Sequence, residues 1–322
     1  MTKNQFKLPQ KKFRPLEELN VIDNFLFQQL LSQGEDGELF ARILLKTFLG
    51  KEIRNVKITP QKGILGTDME RHGIRLDAYI EEIVDPDHDN LADAEIIPNV
   101  YDIEPNLSYE KDSLPKRMRY YHGLIDTQLL SAGSGYQKLP NVIIFIILPY
   151  DPFGQNRMVY TIQNSCMEDP TLPYFDGAKK VFLYTRGICD TTGNSLKDML
   201  KYIEDSTTEN VVNEDIATIQ RLVHKVKHKK EVGINYMKSW EYEQMIQDEA
   251  RNEGFQTGFN DGFNDGFNDG FSSGSNEATE KMNRLILLLT DAGRTEDLRK
   301  AACDKVYREK IFKEFDINSQ GR

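Results

Sequence analysis

Residues 141–148 read NVIIFIIL, seven apolar side chains in succession after one asparagine. A strand that faces water on one side alternates polar and apolar residues, so an unbroken apolar run of this length belongs to a central strand covered on both faces. It is the longest apolar run in the chain, and it falls far short of the ~18–20 residues that a membrane-crossing helix needs. The chain therefore has to build a sheet around it and lay helices over that sheet.

The flanking sequence supplies both. Helical spacing begins at Ile22, with Phe25, Leu26 and Leu30, and a second helix is predicted over Glu38–Leu49, with Leu39, Ile43, Leu44 and Phe48 on one face and Gly50 as its stop. Strands are predicted at 55–59, 74–81, 100–104, 159–163 and 181–185. The 74–81 segment alternates cleanly, with Ile74, Leu76, Ala78 and Ile80 on one face and Arg75, Asp77, Tyr79 and Glu81 on the other. Between 85 and 99 lies an acidic loop with a proline near each end. An amphipathic helix over Pro115–Leu130 follows the third strand. This mixture indicates an α/β or α+β domain that ends near residue 190.

At 322 residues the chain exceeds one ordinary core of ~100–200 residues. Five segments are expected: a basic flexible arm at 1–20, the mixed domain at 21–190, a helical extension at 191–253, a repeat at 254–275 and a C-terminal helical segment at 276–322, itself two helices over 277–289 and 296–315. The opening MTKNQFKLPQKKFR is basic without an apolar centre, so it is not a secretory signal. Three cysteines, Cys166, Cys189 and Cys303, are too few and too scattered for a disulfide framework or a zinc site. A reducing, cytoplasmic location and no membrane partner are the expectation.

The formal charge is −10, from 41 basic and 51 acidic residues, which argues against a chain coated with nucleic-acid-binding surface. The acidity is concentrated. Residues 81–104 hold nine acidic and no basic residues, and residues 241–269 hold eight acidic and one basic, which leaves the remainder mildly basic and permits a local DNA-facing groove.

One spacing carries chemistry. Asp77 stands on the polar side of its strand, and Glu104 and Asn106 are two apart, so an extended backbone puts both on one face. If the strands are neighbours, two carboxylates and an amide converge. Two carboxylates are what Mg²⁺ asks of a protein, with water and substrate phosphate completing its octahedron. The other reading of the same residues is ordinary exposed carboxylates on strand faces.

The motifs in order resemble the recombination-promoting nuclease and putative transposase group of the PD-(D/E)XK nuclease superfamily. The likeness runs through VIDNFLFQQLL (21–31), RHGIRLDAYIEE (71–82), VYDIEPN (100–106), the stretch from LPKRMRYYHG to ILPYDPF (114–153), and YTIQNSCMEDP with DGAKKVFLYTRG (160–187). It covers roughly residues 16–190. It implies a restriction-endonuclease-like α/β core, a mixed sheet flanked by helices, with a C-terminal helical extension. It also implies an Mg²⁺-dependent DNA endonuclease (Mn²⁺ being an alternative metal) that supports recombination or transposition.

In that likeness Asp77 and Glu104 hold the metal and Asn106 orients the attacking water. Asn106 departs from the pattern, which has lysine in the wider superfamily and commonly glutamine in this group. Asparagine is neutral, though it can still hydrogen-bond a water. Pro105 removes a backbone donor and suggests an edge strand or bulge. The additional acid from the first helix falls on Asp23, although capping of that helix is the favoured role for this residue. Lys116, Arg117, Arg119 and Gln128 are the candidates for DNA contact, with a solvated basic face as the alternative for the three cations. A second function follows from the departure at Asn106: a catalytically impaired nuclease fold kept as a DNA-binding or assembly module.

Two features lie outside the likeness to the core. RLVHKVKHKK (221–230) carries five positive charges and two histidines at i,i+4, which read as a charged helix face more readily than as a metal or DNA site. GFND occurs three times between 258 and 269, flanked by GFQT and GFSS. On a helix a four-residue period turns the phenylalanines by roughly 40° per repeat, a slow spiral able to pair with another copy. Glycine at every fourth position weakens a helix by ~1 kcal/mol each, which favours a mobile linker. Homo-oligomerisation through the repeat and the terminal helices is the expectation from the first reading.

Overall fold

The computed structural model describes residues 13–65, 73–83, 98–109, 112–188 and 194–317. The acidic loop expected at 85–99 and Cys189 fall mainly or wholly outside those residues. The chain divides into two compact units, residues 1–240 and 241–322.

The first unit is an α/β layer structure around a six-stranded mixed sheet, with strands β1 (Val56–Ile64), β2 (Ile74–Glu82), β3 (Asn99–Pro105), β4 (Asn141–Leu148), β5 (Val159–Ile162) and β6 (Ala178–Tyr184) in the order β1-β2-β3-β4-β6-β5. The apolar run is β4, and it lies between β3 and β6, parallel to both. β1, β2 and β5 run antiparallel to their neighbours. β6 begins three residues before the predicted start, because Lys179 and Lys180 are polar residues paired beside Ile143 and Ile144.

One face of the sheet presents Ala78, Ile80, Tyr101, Ile103, Phe145, Ile147 and Leu183. Helices α1 (Asn24–Leu31), α2 (Glu35–Leu49), α4 (Asn194–Glu204) and α5 (Glu214–Lys227) pack there. α2 stops where expected: Gly50 takes a left-handed φ of 66° and its N–H caps the Lys46 carbonyl. The opposite face presents Tyr79, Val142, Ile144, Ile146 and Phe182, covered by α3 (Leu114–Leu129) through Leu114, Met118 and Ile125.

Three expectations need correction. Residues 191–227 are not an appended extension: α4 and α5 put Leu200, Tyr202, Ile203, Ile216 and Ile219 into the same core as α1 and α2. Their strong amphipathicity buries one face of each helix. The arm expected at 1–20 is packed from residue 13 onward, since Leu16 and Leu19 are buried and Phe13 sits edge-on to Trp240 at 5.1 Å. Finally, β2 does not keep one alternation phase. Ile74 and Leu76 belong to the cluster under α3, whereas Ala78 and Ile80 belong to the other. The phase changes at Asp77, opposite Gln61, whose φ of 51° interrupts the extended backbone of β1.

The basic 221–230 segment is also tied down. Lys225 pairs with Asp36, Lys227 donates to the carbonyls of Glu17 and Leu19 at 2.8 and 2.6 Å, and Lys229 donates to Gln33. His224 and His228 are exposed and stack on each other at 3.9 Å.

The helix α6 (Lys230–Asp291) is 62 residues long and contains the whole glycine-phenylalanine repeat as well as the segment predicted as a separate helix at 277–289. The repeat is therefore helical. In the second unit the expected terminal helix at 296–315 is two, α7 (Thr295–Cys303) and α8 (Lys305–Glu314), because Asp304 accepts the Tyr307 N–H and starts a new helix. Leu285, Leu289, Ala301, Ile311 and Phe312 form a small core there. Among the described residues no helix is long and apolar enough to cross a membrane.

Candidate functional site

The β2–β3 ladder runs from Glu81↔Val100 to Tyr79↔Asp102 and then ends. Two positions further in that register Asp77 stands opposite Glu104. There the side chain replaces the ladder: the Glu104 carboxylate accepts the Asp77 backbone N–H at 2.8 Å. β3 itself is interior, which corrects the edge-strand reading of Pro105. Pro105 is the last residue of β3, paired with Ile147, and the following Asn106 N–H goes to the Ile147 carbonyl at 2.9 Å. The missing donor of Pro105 therefore falls on the side where pairing with β2 has already stopped.

The parting of the two strands opens a polar cleft of about 350 Å³. Asp77, Glu104 and Asn106 line it together with Arg117 and Tyr121 from α3, and Gln28 from α1. The three sequence-derived centre residues are thus in one place, each less than one-tenth exposed. Asn106 turns its Oδ1 back to the Ser108 N–H at 3.0 Å, and its Nδ2 is buried without a hydrogen-bond partner. That donor remains for a ligand oxygen.

The other candidates separate. Arg117 alone of the basic trio lines the cleft. Lys116 and Arg119 are exposed on α3, as is Gln128 three turns on, and none of these lines the cleft. Arg117 lies one turn before Tyr121, with its guanidinium carbon 5.9 Å from the ring centre. Asp23 does not line the cleft. It occupies the N-cap position of α1 without accepting a helix N–H, and instead takes Arg14 at 3.0 and 3.2 Å and the Asn20 N–H at 2.7 Å. Arg14 therefore neutralises the acid proposed as an additional metal ligand.

Two residues that the sequence reading passed over belong to the site. Gln28 Nε2 donates to Asp77 Oδ1 at 2.8 Å. Its signal was the polar pair Asn24/Gln28 at i,i+4, opposite the apolar Leu26, Phe27 and Leu30. Asp102 is fully buried next to Glu104 on the same strand face, and neither of its oxygens has a hydrogen-bond partner. The same two-residue alternation that grouped Glu104 with Asn106 also reaches Asp102.

Burial shifts all three acids upward. Burial pushes the Glu104 carboxyl up to about 8, with the Asp77 charge adding to it and Arg117 opposing. Burial raises Asp102 well above the carboxylate range, followed by the charges of Glu104 and Asp77. Asp77 is also raised by burial, but the Gln28 hydrogen bond, Arg75 and Arg117 oppose the rise. Such a cluster favours a bound cation or proton over free carboxylates. Among the described residues no group of three or more His, Cys, Asp or Glu is arranged as a metal cluster. The donor set here is a pair, Asp77 and Glu104, which is the number Mg²⁺ commonly takes from protein.

Comparison of the chain with known protein families, with curated proteins and with solved structures gives no match.

Proposed function

We propose that the chain is an Mg²⁺-dependent DNA endonuclease with a restriction-endonuclease-like core, acting in recombination or transposition in the cytoplasm. The observation that carries this reading is the placement of Asp77 and Glu104 side by side in a polar cleft with Arg117 and the unpartnered Nδ2 of Asn106. The order of motifs that resembles the PD-(D/E)XK nucleases supports the same reading.

Asp77 and Glu104 would hold the cation, with Mn²⁺ able to replace Mg²⁺. A cation bound there would supply Lewis-acid polarisation of a phosphoryl oxygen and a water of lowered pKa. The chain's own residues do the rest. Asn106 Nδ2 donates to the water or to a phosphate oxygen. Arg117 brings positive charge to a site whose third motif position lacks it. Lys116 and Arg119, outside the cleft, meet the flanking phosphates of the duplex.

The test is nicking of supercoiled plasmid with Mg²⁺, Mn²⁺ or EDTA, comparing wild type with Asp77→Ala and Glu104→Ala. Cation-dependent nicking lost in both variants is expected. Nicking that ignores both substitutions sinks the reading.

A second role is favoured by a separate observation. Phe255, Phe259, Phe263, Phe267 and Phe271 are each 62–73% exposed, and successive rings lie 6.4 Å apart with planes within 19°. We propose that a second copy of the chain covers this stripe. Five phenylalanines exposed to that extent offer on the order of 600 Å² per chain, close to one side of a standard interface. The adjoining glycine row leaves open space beside the rings for a close neighbour. The six glycines at 254–274 weaken an isolated helix by roughly 6 kcal/mol, so a partner would be needed to hold it. Deletion of residues 254–274 should lower the mass measured by light scattering; an unchanged mass counts against self-association.

A further inference from the structure

Gln61 stands out in the backbone. Among the described residues three non-glycine positions have positive φ: Gln61 at 51°, Asn156 at 54° and Asp316 at 53°. Asparagine and aspartate tolerate the left-handed region because their short side chains bond the local backbone; glutamine has no such advantage. Gln61 is also the only one of the three inside a strand, in the middle of β1. Strain of this kind persists where surrounding structure holds it, and it gathers at functional sites.

The place is informative. The register pairs Pro60 with Ala78 and Lys62 with Leu76, which sets Gln61 opposite Asp77. Its side chain does not reach Asp77 directly. Gln61 Nε2 donates to Gln28 Oε1, and Gln28 Nε2 donates to Asp77 Oδ1. The chemistry fixes the direction of this chain. An ionised carboxylate only accepts, so Gln28 must offer it the NH₂ end, and the carbonyl end of the same amide then needs a donor. Gln61 is that donor, and a left-handed backbone is how a residue on the neighbouring strand brings it there.

We infer that Gln28 and Gln61 are positioning residues of the acidic cleft, an amide chain that fixes the rotation of the Asp77 carboxylate for a divalent cation. This role rests on the metal-site reading given above. Gln28 acts on Asp77, and Gln61 acts through Gln28 by locking its amide. Neither needs to touch the cation. The strain at Gln61 is then explained, because an extended residue at that register would leave the Gln28 carbonyl unpaired and its amide free to turn.

The experiment is calorimetric titration of the full-length chain with Mn²⁺, together with the thermal midpoint without metal, for wild type, Gln28→Leu and Gln61→Gly. Loss of a partner behind a ligand typically weakens metal binding ~10–100-fold. Gln28→Leu should fall in that range, and Gln61→Gly by about 10-fold. Glycine accepts positive φ without strain, so Gln61→Gly should also keep or raise the thermal midpoint. A lower affinity without a lower midpoint is a combination that a merely structural residue would not give. Wild type that binds Mn²⁺ while Gln28→Leu and Gln61→Gly match it overturns the positioning role alone. Wild type that binds no Mn²⁺ overturns the metal site and this role with it. Should Gln28→Leu fail to fold, Gln61→Gly, at an exposed position, decides the matter alone.

Discussion

Glu104 accepts the backbone N–H of Asp77 at 2.8 Å, at the point where the pairing of β2 with β3 has run out. One carboxylate therefore has two duties: it completes the sheet and it faces the cleft. Glu104→Gln separates them, because the amide oxygen can still accept that N–H. The variant should keep or exceed the thermal midpoint of wild type, since a buried acid has been neutralised, and should lose cation-dependent nicking. Nicking retained at the wild-type rate would show that Glu104 serves the sheet only.

The basic residues of α3 should divide by position. Arg117→Ala, within the cleft, should lower the nicking rate by at least ~10-fold with little change in how binding responds to salt. Lys116→Ala and Arg119→Ala should weaken DNA binding evenly across sequences and reduce the slope of log affinity against log salt by about 1 each. Rates and salt titrations on the three variants check the division, and equal behaviour would contradict it.

His122 gives the fold a pH signature. It is buried on α3, its Nδ1 has no hydrogen-bond partner, and Nε2 lies 3.9 Å from Asp126 Oδ2. Burial lowers its pKa from 6.5 to about 4, with Lys180 acting in the same direction and Asp176 opposing. The imidazole is therefore neutral in the folded chain at neutral pH. Above pH 6.5 both states are uncharged and the residue has no linkage effect. As pH falls from 6.5 towards 4 the unfolded chain gains a proton that the folded chain refuses, so stability is lost, by up to roughly 3 kcal/mol. Asp126, which burial raises, works the other way: as pH falls its folded form takes up a proton before the unfolded one, which offsets part of the loss. Denaturant unfolding at pH 7 and pH 4.5 should show the loss in wild type and a smaller one in His122→Gln.

The packing of α4 and α5 is testable by truncating single side chains. Leu200 and Ile219 are fully buried, so each alanine substitution should reduce stability by about 2–5 kcal/mol. A chain ended at residue 193 should not fold cooperatively. A folded 1–193 fragment would restore the boundary that the sequence suggested.

The strongly patterned parts of the molecule were legible in advance. A seven-residue run without polar interruption had to be interior, and β4, which carries it, is. Asp77, Glu104 and Asn106 were legible because strand alternation and the order of motifs act over short distances. What escaped depends on geometry that residue type does not announce. Nothing in glutamine signals a left-handed backbone, so the change of phase in β2 at Asp77 was hidden, as was the amide chain that follows from it. The boundary at 190 misled because strands ceased there, while burial continued through Leu196 and Val226. The two lysines that open β6 masked its start, since propensity reads them as solvent-facing although pairing with β4 fixes them in the sheet.

Residues near the two ends of the first unit are stitched together. The Ile22 N–H meets the Ile203 carbonyl at 2.9 Å, the Val21 N–H meets Ser206 Oγ at 2.8 Å, and the Tyr236 hydroxyl reaches the Arg14 carbonyl at 2.7 Å. During synthesis the first helices are made early but their partners emerge some two hundred residues later. At roughly 5–20 residues per second that wait lasts at least about ten seconds. Throughout it the apolar surfaces of α1, α2 and the sheet that α4 and α5 will bury stay open to solvent, and a nascent chain with such surface exposed is a client for chaperones. Closure of the unit becomes a late event, reached only once the chain has been made past Tyr236.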